Sequence, residues 1–164
     1  MKKPKAEHGT LKWPEAVEAA LSSDSFSEID RQFARFVERL ASGGKPSVKL
    51  AAALVSQRRG RGDICLDLGA VADTELSWGE HASAETLRCP PFETWAAELS
   101  ASRVAGSPGN FTPLVLDSGG RLYLHRYWQY ERDLAADITA RLRAPLLPFD
   151  AAKLRDGLTR LFPG

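Results

Sequence analysis

Cys65, His81 and Cys89 bring two thiols and an imidazole into one stretch of the chain. A zinc site takes four such ligands, with two to four residues between paired members. Here there are three and none has that step, so two ordinary thiols and a loop histidine is the plainer reading. Two cysteines make no disulfide framework, and a reducing cytoplasm is the expected compartment. Asp63 and Asp67 bracket "DICLDL" at i, i+4 and could pair for acid/base work, although solvated strand-edge charges are the commoner use. "GGKPS" at Gly43 to Ser47 is the nearest approach to a phosphate loop. It fails twice, with Arg39 in place of the first glycine and Pro46 in place of the hydroxyl. No serine sits in a GxSxG elbow. The residues therefore point to no enzyme, no catalytic, cofactor-binding or metal-binding group, and no small-molecule substrate.

Two other groups suit contact rather than chemistry. Arg58, Arg59 and Arg61 form the basic burst "RRGR", placed where a helix C-terminus accounts for it by charge–dipole complementarity. As phosphate contacts they are a minority option, because the formal net charge of +1 supplies no general attraction to nucleic acid or anionic membrane. Arg126, Tyr127, Trp128 and Tyr130 combine large contact area with few rotors, the side chains that dominate binding energy at protein interfaces. Cementing the domain's own core is the commoner use of aromatics at a strand-to-helix joint, and base stacking is a third. His125 reads as a structural histidine.

The elements that would carry these groups follow from periodicity. At 164 residues and 43% hydrophobic, one soluble domain with its own core is expected. It comprises residues 13–164 after a basic tail at 1–12, with no membrane span. Pro14 opens a short helix through Ser22. Ser25 and Glu28 have capping-box spacing ahead of a helix whose Ile29, Phe33, Phe36, Val37 and Leu40 share a face, stopped by Gly43 and Gly44. Ser47 is the expected cap of a central core helix bearing Val48, Leu50, Ala51, Leu54 and Val55. "DICLDL" alternates as a strand, and Gly69 to Pro91 reads as a long loop holding a helical turn or a mobile segment. Phe92, Trp95, Ala96 and Leu99 mark a half-buried helix. Asp117 to Gly120 separates two apolar runs, giving a hairpin near residues 113–126. Tyr127, Glu131, Leu134, Ile138 and Leu142 line the next helix, and Asp150 caps a last one with Leu154, Leu158 and Leu161, ended by Pro163. The expected fold class is α+β, mostly helical, with four to six helices around a small, mainly antiparallel sheet.

In this order of elements, "PLVLDSGGRLYLHRYWQYERDLA" resembles the N-terminal domain of RecD, the alpha subunit of bacterial exodeoxyribonuclease V (the RecBCD complex). "EIDRQFARFVERLA", "VKLAAALVSQRRGRGDICLDL", "FETWAAELSASRVAG" and "LRDGLTRLFPG" resemble further blocks of that family in the same succession, covering Ser27 to Gly164. Asp63 departs from it, standing where the family often has histidine. The resemblance implies a non-catalytic assembly domain of an ATP-dependent 5′-to-3′ DNA helicase subunit. It also implies a RecC-like partner and, through the complex, a RecB-like subunit and DNA, in double-strand-break repair and DNA degradation. ATP and magnesium would belong to motor domains absent from this chain. A small DNA-binding module using local arginines is the alternative.

Overall fold

The computed structural model describes residues 12–79, 85–145 and 149–162. Two compact units divide the chain, Met1–Tyr130 and Glu131–Gly164. Residues 1–11 of the expected basic tail at 1–12, His81 and Pro163 lie outside the described residues.

In the first unit, α1 (Trp13–Ser22), α2 (Glu28–Leu40) and α3 (Pro46–Gly60) pack together. A continuous buried run from Ser47 to Ser56 makes α3 the hub. A helix buried all round needs apolar or small residues on every face, and "VKLAAALV" provides them. The helix opens after Lys45 with Pro46 in its first turn, so Ser47 is not the expected cap. Ser47 instead donates its hydroxyl to the Glu98 carboxylate, and its carbonyl accepts from Trp95 Nε1 at 2.9 Å.

The cap of α2 also differs from the expected one by two residues. Ser27 Nα–H donates to Asp30 Oδ2 at 2.9 Å while Asp30 N–H donates to Ser27 Oγ at 3.4 Å, a reciprocal box in which Ser25 and Glu28 have no part. The expected apolar face holds only in part: Val37 is buried and Phe33 packs against the core. Ile29, Phe36 and Leu40 are exposed, at 75%, 43% and 41%, and α2 buries Asp30, Ala34 and Val37. Small residues there let α2 approach α3 closely, and Asp30 is tolerated because Ser56 Oγ donates to it at 2.6 Å.

Then follow β1 (Cys65–Asp67), a short α4 (Leu68–Val71), β2 (Glu75–Trp78), β3 (Glu85–Arg88), α5 (Phe92–Ser100), β4 (Ala105–Gly106), β5 (Leu114–Leu116) and β6 (Arg121–Leu124). The main sheet runs β1-β6-β5-β4, antiparallel except for the parallel β4–β5 pair. The expected loop from Gly69 to Pro91 contains α4 and an antiparallel β2–β3 ribbon. The hairpin is as expected: Leu114 faces Leu124 and Leu116 faces Leu122. Its turn is held by Asp117 Oδ1, which accepts from Gly119 and Arg121 backbone N–H at 2.9 Å each. Gly120 has φ +77°, and a Cβ there would lie 2.7 Å from the Phe92 ring.

The α6 helix (His125–Arg143) begins without a connecting loop after β6, and α7 (Ala151–Leu161) follows it. Asp150 caps α7 as expected, its Oδ1 accepting from Ala152 and Lys153 N–H at 3.0 and 3.1 Å. Considered by itself, the second unit has no buried residue among those described. Leu134, Ile138 and Leu142 on one helix, and Leu154, Leu158 and Leu161 on the other, are exposed. Seven helices are described, more than the four to six expected, and the fold is α+β and mostly helical. No described helix is long and apolar enough to cross a membrane.

Candidate functional site

Among the described residues, each candidate metal or acid/base residue has a separate structural place. Cys65 lies on β1 and Cys89 is buried after β3, and both are free thiols. Burial pushes the Cys89 thiol up, against a smaller opposing hydrogen bond involving Thr74, so it is not an activated nucleophile. Among the described residues no cluster of three or more His, Cys, Asp or Glu could hold a metal ion. Asp63 meets Arg58 at 3.4 Å, whereas Asp67 caps α4 by accepting from Ala70 N–H at 3.1 Å. The two carboxylates therefore serve different partners.

The two contact groups, by contrast, converge. The C-terminal turn of α3 distributes its arginines to two sides. Arg59 places its guanidinium carbon 4.6 Å from the centroid of the Tyr127 ring, inside the range of a cation–π contact. Arg58 goes to Asp63, and Arg61 caps the helix end. Sequence separation hid the Arg59–Tyr127 pairing, since the two groups stand on different elements and meet only once β6 is laid beside β1.

Around that contact, at the start of α6, the aromatic residues form two groups that together make a joint. Tyr127 and Tyr130, one helical step apart, meet edge to face with centroids 6.1 Å apart. On the other side of the α6 start, His125 lies 5.1 Å from Phe111 and 6.2 Å from Trp128, centroid to centroid. The His125 backbone N–H donates to the Pro113 carbonyl at 3.0 Å, which ties the helix start to the hairpin. Its side-chain Nδ1 is buried without a hydrogen-bond partner. Tyr127 and Trp128 are half-buried, Arg126 is exposed, and Tyr130 and Phe111 are 59% and 96% exposed. The joint thus combines an anchored inner layer with an exposed outer one. Phe111 was not among the sequence candidates. A large aromatic isolated in the polar stretch "SPGNFTP" was the signal for it.

Beneath the joint, Tyr123 is buried on β6 opposite Cys65. Burial first, then the nearby Cys65, push its phenol up to about 12. It stays neutral at physiological pH and belongs to the scaffold.

The chain is similar to known proteins over most of this scaffold. The family profile described as "RecBCD enzyme subunit RecD, N-terminal domain" matches residues 22–123, all inside the first unit. The RecBCD enzyme subunit RecD of Mycolicibacterium smegmatis (strain ATCC 700084 / mc(2)155) is 32% identical over 125 residues, covering 74% of this chain and 21% of that protein. The chain therefore spans about a fifth of the length of the curated relative it matches. With a family match over more than half its residues and the hairpin-to-helix order in place, the chain belongs to the family of RecD N-terminal domains.

Proposed function

We propose that this chain is the assembly domain of a RecD-like ATP-dependent 5′-to-3′ DNA helicase subunit of exodeoxyribonuclease V. Non-catalytic itself, it docks the motor onto a RecC-like subunit and, through the complex, serves a RecB-like subunit and DNA in double-strand-break repair and DNA degradation. In this reading the domain spans residues 13–164, works in the cytoplasm, and leaves ATP and magnesium to the motor domains.

The observation that carries the reading is the joint at Arg59 and Tyr127. A guanidinium stacked on one tyrosine, with a second tyrosine set edge-on and exposed, is a low-entropy contact surface of the type that supplies interface hot spots. The relative's name supports it, being that of a subunit of a larger enzyme.

The test is to mix the purified chain with a RecC-like subunit from the same source and follow co-elution and calorimetry. Co-elution is expected, with Tyr130→Ala and Arg126→Ala each weakening the complex by about tenfold or more. Failure to associate at micromolar concentrations overturns the reading. Binding to single-stranded DNA that falls steeply with salt and is lost in Arg58→Ala and Arg61→Ala would favour the DNA-binding alternative.

A further inference from the structure

Arg58 and Arg61 both line a cavity of about 200 Å³ in the first unit. Its floor is apolar, made by Phe26 of the α1–α2 turn, Leu54 of α3, Val71 of α4 and Leu76 of β2. Phe26, Leu54 and Val71 are core residues, so the floor is part of the packed interior rather than a loose surface. Trp78 forms one wall, with its indole Nε1 donating to Glu85 Oε2 at 3.1 Å across the ribbon. Gln57 Nε2 donates to the Ser25 carbonyl at 2.6 Å, a bond between two further lining residues. The cavity is therefore preformed.

Its size and rim decide what fits. Small-molecule sites usually run from about 300 to 1,000 Å³, so this one is too small for a nucleotide and right for a single side chain. Around the apolar floor the rim is cationic. Arg61 has no ion pair among the described residues, and Arg58 holds Asp63 through a 3.4 Å contact between groups about half exposed, which an incoming carboxylate can replace at little cost.

We propose that this cavity is an anchor site for a protein segment that inserts one aromatic or aliphatic side chain against Trp78 and sets a neighbouring carboxylate on Arg61 and Arg58. An apolar anchor flanked by acidic residues is the complement of an apolar floor with a guanidinium rim. The site shares no residue with the joint at Arg59 and Tyr127, so it extends the proposed function rather than repeating it.

The experiment uses the full chain labelled with fluorotryptophan, the Trp78 resonance being assigned through Trp78→Phe. The probe is the peptide acetyl-Glu-Asp-Phe-Asp-Glu-amide, with its Phe-to-Ala version and a deoxythymidine oligonucleotide as comparisons. A saturable shift of the Trp78 resonance is expected with the Phe peptide alone. Its affinity should fall about tenfold or more in Arg61→Glu, which is exposed and leaves the core untouched, and in Arg58→Glu, which reverses the other charge of the rim. No saturable shift up to about millimolar peptide, an equal shift from the Ala peptide, or unchanged affinity in both variants overturns the proposal. Tighter binding by the oligonucleotide overturns it in favour of nucleic acid. The titration contains no RecC-like subunit, so its failure and a failure of the docking reading are separate results.

Discussion

Arg59 and Tyr127 are joined by a cation–π contact of 4.6 Å that ties the last turn of α3 to the first turn of α6. Because Tyr127 is half-buried, the contact contributes about 0.5 to 2 kcal/mol. A double-mutant cycle with Arg59→Ala and Tyr127→Leu, followed by urea unfolding, should show a coupling energy in that range. Independent, additive losses would mean that the two side chains do not interact in solution.

Asp30 is a buried carboxylate with three hydrogen-bonding neighbours on two helices: the Ser27 backbone N–H, the Ser27 hydroxyl and the Ser56 hydroxyl. Asp30→Ala removes the N3 half of the α2 capping box and orphans Ser56, so a loss of about 2 to 4 kcal/mol is expected. Ser27→Ala should cost about 1 kcal/mol. Chemical denaturation of both variants gives the comparison, and equal losses would place the cost outside the shared network.

Lys49 is buried on α3 with its Nζ 2.5 Å from Glu18 Oε1 and 2.9 Å from Glu38 Oε2. Burial alone would lower its pKa, but the hydrogen bonds and charges of the two glutamates together outweigh it and raise the value. The glutamates remain partly solvated, which limits the cost of breaking the triad. Lys49→Ala is expected to lose about 2 kcal/mol or more, through both packing and unpaired carboxylates, and Lys49→Met distinctly less. Thermal unfolding of the two variants side by side tests the order.

Tyr123 governs part of the alkaline limit. Its folded pKa of about 12 lies above the value near 10 of a free phenol, so the folded state holds the proton more tightly. That contribution is fully present below about pH 10 and is lost as pH rises toward 12. Raising pH through this window should destabilise the native chain, and Tyr123→Phe should show a shallower decline. A variant with an unchanged alkaline slope would exclude the phenol as the cause.

Gly120 combines a left-handed backbone, φ +77°, with a Phe92 ring that a Cβ would meet at 2.7 Å. Gly120→Ala carries both strain and overpacking, for a loss of about 2 to 4 kcal/mol. Phe92→Leu in the same chain should recover part of it. Equal stability of the Gly120→Ala chain with and without Phe92→Leu would assign the whole cost to the backbone.

The parts of the fold legible in the sequence are those where local pattern and tertiary demand agree. The apolar run of α3, the Trp95/Leu99 face of α5, the Asp117–Gly120 turn and the Asp150 cap are of this kind. The α2 helix misleads because Ile29, Phe36 and Leu40 are exposed, while its fully buried residues are Asp30, Ala34 and Val37. No periodicity signals that a carboxylate is buried when the hydroxyl that satisfies it stands on another helix. The β2–β3 ribbon is too short for a pattern to rise above its polar surroundings, although Leu76 and Trp78 alternate within it. At the site, the aromatic residues of α6 were legible as a group. Their pairing with Arg59 was not, because that arginine, legible only as part of a basic burst, comes from a distant element.

The strand order β1-β6-β5-β4 also bears on how the chain emerges from the ribosome. Cys65 pairs with Tyr123, so β1 leaves the exit tunnel long before its neighbour exists. At translation speeds of roughly 5 to 20 residues per second, that wait is about 3 to 12 s. The three N-terminal helices can gather during this interval, but β1 waits as a bare edge. Slow codons between β1 and β6 would prolong its exposure to nascent-chain aggregation.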